Sequence, residues 1–402
     1  MSAPRVIFIN RFYWPDEPAT AQLLTDLAEA LVARGWQVEI ITSMPRKPAI
    51  PHREQRRGVW IHRLSNPAAK PASLWGRALL FAGFLTKACW FCLCHLPRGD
   101  IVITMTDPPL LGLWLWPVAK IKRARQLHWA QDIYPEVAIS VIDSWMLRGL
   151  LKALIPLRNA SWRHSTGCVT LGRDMASVMA RAGLDPRRLH IIPNWAPAGI
   201  EPALSTVRDD LRRFWGLSDS FVVVYSGNMG RVHELDALLP LSRALRRHPG
   251  IVLLLVGEGS SKAALQESVR MEGLENVRFL PPQPREMLSS MLSAADIHLV
   301  TLRANCASSV FPSKFYGIAA VARPMMFVGP KDCELAQIIE QRGMGASFGA
   351  METDGMAKYI IGLSNDPGSC QRQSAAAHAF SLSEGRIEHA SALWDRLLRS
   401  LP

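Results

Sequence analysis

Short apolar runs recur along the first half of the chain, and stretches of helical periodicity separate them. Residues 6–9, 38–41, 60–64, 101–105, 126–129, 168–171 and 190–193 read as strands, the first of them buried. Between the first two, residues 21–34 carry Leu23, Leu24, Leu27, Ala28 and Leu31 at the spacing of one helix face, and Gly35 stands just past the end. Strands that alternate with helices build parallel β-α-β units, which bind ligands beyond the carboxyl ends of their strands.

The pattern restarts after a Pro-containing linker at 197–202. Residues 221–225, 252–256, 277–280, 297–300 and 325–328 form a second strand series. The expected fold class is therefore α/β, with two Rossmann-like lobes facing a central cleft, where the site is expected. The boundaries expected are 1–200 for the first lobe, 201–380 for the second and 381–402 for a terminal helix.

Composition agrees with this organisation. The 402 residues are too many for one ordinary core. At 49% apolar and 20% charged, the chain is globular rather than disordered. Lys plus Arg is 46 against 34 Asp plus Glu, and the net charge of +12 favours anionic partners. Nucleic acid is the poorest of these, because aromatic-basic strands and recognition-helix signatures are missing.

The seven cysteines are scattered. Cys89 and Cys92 make a Cys-x-x-Cys, with no second pair or His cluster to complete a metal site, so no metal is expected. Nothing in their spacing argues for disulfides, which points to a reducing compartment. Residues 1–5 lead at once into the first strand and leave no room for a signal peptide, so a cytoplasmic location is expected.

One stretch changes the picture. Residues 79–96 approach the roughly 20 apolar residues that span a bilayer, but Lys87 lies at the centre. A central lysine costs roughly 2.5–3.5 kcal/mol on insertion. Residues 110–118 add Trp114 and Trp116, and Lys120, Lys122, Arg123 and Arg125 follow. Trp-bearing apolar helices beside cations suit the headgroup layer of a membrane, so segment 77–125 is expected to lie on the membrane surface. Two ordinary helices packed on the first sheet are the alternative.

Four loops carry candidate chemistry. Gly227, Asn228, Gly230 and Arg231 lie in a loop between a strand and a helix, where glycine lets backbone approach a phosphate. Glu258, between two glycines at the next strand end, suits either a ribose hydroxyl or a helix cap. Pro312, Ser313 and Lys314 place a hydroxyl and a cation at a helix start, a receptor for a diphosphate. Asp132 and Glu136 follow a strand end in the first lobe. One of them would orient or deprotonate an acceptor hydroxyl, or the two would serve as helix cap and first-turn acid.

These segments, with Phe8 to Asp16, Ile192-Pro193-Asn194-Trp195 and Pro312-Ser313-Lys314-Phe315-Tyr316-Gly317, resemble a family 4 glycosyltransferase of the colanic-acid and O-antigen type over nearly the full chain. The resemblance implies the GT-B fold, with acceptor on the first lobe and nucleotide-sugar on the second. It also implies retaining hexosyl transfer without metal or cofactor, from a UDP- or GDP-linked donor. A terminal helix, here 387–398, would return to the first lobe. Lys314, Arg231 and Asp132 take the catalytic roles. Gly227, Asn228, Gly230, Glu258, Ser309, Pro312 and Ser313 take the donor side, and Arg11, Glu136 and Asn194 the acceptor side.

Two departures stand out. Many members carry paired glutamates where this chain has Ser309 and Gly317, and Arg and Lys where it has Asn228 and His233. The acceptor expected is a lipid-diphosphate-linked saccharide at the inner face of the cytoplasmic membrane, and the site needs no protein nucleophile. A sugar-nucleotide 2-epimerase of the same fold and a non-enzymatic membrane-binding scaffold are the alternatives.

Overall fold

The computed structural model describes residues 5–45, 50–65 and 74–401. Residues 1–4, on which the expectation about a leader partly rests, lie outside them. The chain divides into two compact units: Met1–Pro193 with Ser308–Phe311 and Ile387–Pro402, and Asn194–Ala307 with Pro312–Arg386.

Among the described residues, the first unit holds strands β1 (Arg5–Ile9), β2 (Gln37–Ser43), β3 (Arg53–Arg56), β4 (Val59–Leu64), β5 (Ile101–Thr104), β6 (Arg125–Ala130), β7 (Gly167–Thr170) and β8 (Leu189–Ile191). They form one sheet in the order β3-β4-β2-β1-β5-β6-β7-β8. Every pairing is parallel except the β3–β4 hairpin. Around it lie helices α1 (Ala19–Ala33), α2 (Leu74–His95), α3 (Leu111–Lys122), α4 (Glu136–Val141), α5 (Trp145–His164) and α6 (Arg173–Arg181).

The second unit holds β9 (Phe221–Ser226), β10 (Ile251–Val256), β11 (Val277–Leu280), β12 (Ile297–Thr301), β13 (Met325–Val328) and β14 (Gly345–Phe348), in the order β11-β10-β9-β12-β13-β14 and all parallel. This is the Rossmann order, which reverses direction between its first and fourth strands. Its helices are α7 (Ser205–Phe214), α8 (Leu238–Leu245), α9 (Lys262–Met271), α10 (Leu288–Ser293), α11 (Lys314–Ala320), α12 (Glu334–Gln341), α13 (Thr353–Asn365) and α14 (Pro367–Ser383). The terminal helix α15 (Ile387–Ser400) packs on α1 in the first unit.

The central strands of each sheet are buried on both faces, whereas the edge strands β3 and β8 are partly exposed. β10 is buried along its whole length, as consecutive apolar residues in a covered parallel strand require. α1 buries Leu23, Leu24, Leu27, Ala28 and Leu31, the same positions that set its periodicity in the sequence. α2 seats Phe84, Ala88 and Cys92 against Ile7, Ile9 and Val102, so one face of this apolar helix is part of the sheet's core. The helix is long and apolar enough to cross a membrane, and only 17% of Ala78–His95 is buried. Lys87 turns outward, and its Nζ donates to the Ser65 carbonyl at 2.6 Å.

Apart from 308–311, the unit boundaries lie within a few residues of those the sequence suggests. The first unit ends at Pro193, before the linker at 197–202, and Asn194 already belongs to the second. The reason is local. Trp195 is buried, and the Ala196 amide donates to the Gly385 carbonyl at 2.9 Å within the second unit.

Candidate active site

In the second unit, the sheet reverses direction between β9 and β12, and the loops after these two strands carry the polar residues. β9 runs into Gly227, whose φ of +119° lies in the region that favours glycine. The next glycine pair lies against this loop. The Gly227 amide donates to the Val256 carbonyl at 2.9 Å and the Met229 amide to the Glu258 carbonyl at 2.8 Å. A Cβ on Gly257 would stand 2.0 Å from the Gly227 oxygen, and one on Gly259 2.4 Å from the Met229 carbonyl. These two glycines therefore let one loop lie backbone to backbone on another. The Glu258 side chain is exposed and pairs with Lys262 at 2.6 Å.

Lys314, the first residue of α11, reaches back to the same loop. A Cβ on Gly227 would lie 3.5 Å from the Lys314 Nζ. That ammonium sits 3.7 Å over the Tyr225 ring, a cation–π contact. It is buried and has no hydrogen-bond partner. Desolvation draws its pKa down to about 7. The Tyr225 hydroxyl is spent on the Asn228 carbonyl at 2.7 Å, which fixes the ring beneath the lysine.

His233 is buried beside them, with Nδ1 2.9 Å from the Thr301 carbonyl. Burial, then the Lys314 charge, lowers its pKa to about 4. At neutral pH its ring is therefore uncharged. Arg231 is exposed on the loop, and the Asn228 amide folds over Gly230. Pro312 is buried and Ser313 exposed at the start of α11. The amides of Phe315 and Tyr316 are already used by the carbonyls of Pro312 and Ser313, so the side-chain cation dominates here.

Ser309 is not part of this cluster. It groups with the first unit, buried, and its carbonyl accepts from the Ile133 amide at 2.8 Å. Val310 bridges Asp132 in antiparallel fashion within the first unit. Gly317 lies mid-helix, where a Cβ would meet Leu292 at 3.6 Å. Position 317 therefore backs onto core.

In the first unit, the sheet reverses direction between β1 and β5. Arg11 follows β1 and Asp107 follows β5. Their side chains pair at 2.8 Å, and the Arg11 amide donates to the Asp107 carbonyl at 2.8 Å. The Arg11 guanidinium also lies 4.2 Å over Phe12 and 4.8 Å over Phe81. Asp132 follows β6 beside a cavity of about 30 Å³ lined by Thr104, His128, Tyr134 and Arg158. Burial, then the Asp107 charge, raises its pKa to about 6.

Asp132 does not cap α4, because the N-cap is Pro135 with no side-chain bond. Glu136 is the first residue of α4. Both its oxygens accept from Arg158, at 2.9 and 2.6 Å, so it braces α4 against α5. Asn194, expected on the acceptor side, is buried in the second unit, its backbone against the Tyr316 hydroxyl.

Sequence reading missed Tyr225, which it took only as the end of a strand, and missed Asp107 and Arg158. A tyrosine directly before a glycine loop is the one signal that pointed to the first of these.

Comparison with known proteins identifies the family and the fold. Residues 20–195 match the Glycosyl transferase 4-like domain and residues 207–380 the Glycosyl transferases group 1. WcaI of Escherichia coli K12, named for colanic acid biosynthesis glycosyl transfer, is 26% identical over 345 residues, 82% of this chain and 84% of that protein. The sucrose-phosphate synthase of Thermosynechococcus elongatus superposes with a TM-score of 0.77 at 15% identity, over 99% of both chains. Anabaena HepE, solved with UDP-glucose, gives 0.73 at 15% identity over 99% of this chain and 100% of that one. With a 4-like domain before a group 1 domain on two Rossmann-like sheets, the chain belongs to the glycosyltransferases of the GT-B fold.

Proposed function

We propose that this glycosyltransferase moves a hexosyl group, with retention, from a UDP- or GDP-sugar to a lipid-diphosphate-linked saccharide. The step belongs to exopolysaccharide or O-antigen assembly at the inner face of the cytoplasmic membrane. The name of WcaI supports the biosynthetic setting, and that of the Pseudomonas aeruginosa glycosyltransferase WbjE, 29% identical over 277 residues, supports glycosyl transfer. HepE, solved with UDP-glucose, supports the donor class.

One observation carries the reading: the Lys314 ammonium is buried, lacks a hydrogen-bond partner and abuts Gly227. A buried cation without a partner is costly, and a diphosphate beside the glycine loop would relieve that cost. The same cation then offsets the charge that grows on the departing nucleoside diphosphate. Arg231, exposed on the loop, adds a second cation, and Gly227, Asn228, Gly230 and Ser313 line the approach. The departing phosphate accepts the acceptor proton, and Asp132 orients the acceptor hydroxyl. No metal or other cofactor is needed for this stabilisation.

The test is Lys314→Ala, assayed with a nucleotide-sugar and a lipid-linked acceptor. Turnover should fall at least about 100-fold, as for loss of a group facing developing charge. UDP and GDP should raise the melting temperature of the wild type and shift the variant much less. Near-normal turnover in the variant would remove Lys314 from the site.

A further inference from the structure

α3 packs between α2 and α5, and all three leave large apolar side chains in the open. Trp90 on α2 is 67% exposed, Trp114 on α3 57%, and Trp145 and Leu150 on α5 84% and 64%. Between α2 and α3 lies an open groove of about 420 Å³, lined by Ala82, Leu85, Cys89, Trp90, Leu93 and Trp114.

α5 was not among the segments that the sequence marked for membrane contact. Its buried residues, Arg158, Ser161 and Trp162, all lie in its carboxyl-terminal third. The remainder projects with Trp145, Met146, Leu150 and Leu157 exposed. Apolar side chains crowded in this way on a helix surface mark an interaction site. The charges say what kind. The three helices contain no Asp or Glu, while Lys120, Lys122, Arg148, Lys152 and Arg163 stand on them. Lys120 lies 4.4 Å over the Trp116 ring, pairing cation with aromatic as headgroup-depth residues do.

We propose that α2, α3 and the amino-terminal two-thirds of α5 form one docking face for an anionic lipid bilayer, whose acyl chains enter the α2–α3 groove. The apolar side chains bury among the chains and the cations meet the phosphates. A second protein copy is a poorer occupant, because helices that carry cations and no carboxylates repel their like. The proposal deepens the assignment of a lipid-linked acceptor and takes its biological sense from that reading, but its physical test is separate.

The full chain is sedimented at low salt with vesicles of phosphatidylcholine alone and of phosphatidylcholine mixed with phosphatidylglycerol. Wild type should partition to the mixed vesicles and leave them as salt rises. Trp145→Glu/Leu150→Glu and Trp90→Glu/Trp114→Glu should each weaken partitioning about ten-fold or more. Circular dichroism melting and the nucleoside diphosphate shift should stay as in wild type, which excludes misfolding. Wild type that stays in the supernatant, or α5 variants that sediment like wild type, would overturn the docking face. So would a wild-type dimer in light scattering that the α5 substitutions dissociate without change in vesicle binding. Vesicle binding without any nucleotide shift would support the face and sink the UDP- or GDP-sugar assignment instead.

Discussion

Lys314 and Asp132 are both buried ionisable groups, and burial moves their pKa values in opposite directions. For the lysine, the folded pKa of about 7 lies below the ordinary value of 10.5, so the folded chain holds fewer protons than the unfolded one between these limits. Stability from this group therefore rises with pH from about 7 upward. A diphosphate restores the charge. Calorimetric titration of UDP or GDP at pH 8, in buffers of different ionisation enthalpy, should reveal proton uptake approaching about one proton, and Lys314→Met should abolish it. For Asp132 the pKa of about 6 exceeds the ordinary 3.8, so the folded chain holds more protons and this contribution to stability falls as pH rises from about 4 to 6. If Asp132 orients the acceptor as a carboxylate, kcat/KM should decline below about pH 6. Asp132→Asn should flatten that limb and lower the plateau about 10–100-fold.

The glycine loops show why element geometry depends on particular residues. Gly257 is extended into the positive-φ region at +141°, and its missing Cβ is what admits the Gly227 carbonyl. Gly257→Ala should cost more than about 2 kcal/mol, since both strain and overpacking act at once. Urea unfolding with a nucleoside diphosphate absent and present checks it. The penalty should persist without ligand, whereas a purely ligand-binding glycine would show its cost only in affinity. The helix α11 has a different weakness. It is seven residues long, and burial of Phe315, Tyr316 and Ile318 holds it in place rather than intrinsic propensity. Phe315 packs edge-on to Phe380 of α14 at 5.2 Å, so the position of Lys314 rests on the core beneath it.

At the scale of the molecule, the chain returns to its first unit twice, through 308–311 and through α15. α15 is tied in by an aromatic triad. Trp394 meets Trp129 at 5.1 Å and Phe8 at 6.4 Å between ring centroids, while Trp36 donates to Asp395 at 2.7 Å. Trp394→Ala should destabilise the first unit by about 3–5 kcal/mol. Differential scanning calorimetry should show the lower-melting transition unresponsive to UDP or GDP if the nucleotide binds only the second unit. A nucleotide-dependent shift of that transition would contradict this division of labour.

The run of buried strands, the helices between them and the order of the glycine and Pro-Ser-Lys segments were legible in the sequence, because parallel strands covered on both faces must be apolar at consecutive positions and because turns need glycine. Only the fold decided that Gly257 and Gly259 serve loop packing, that Glu136 belongs to Arg158, and that Asn194 and Ser309 lie in the opposite units from those expected. It also decided that Tyr225 lies under Lys314 and that α5 stands exposed. Each of these depends on contacts between residues far apart in sequence, and local periodicity carries no information about which distant side chain will share a buried space.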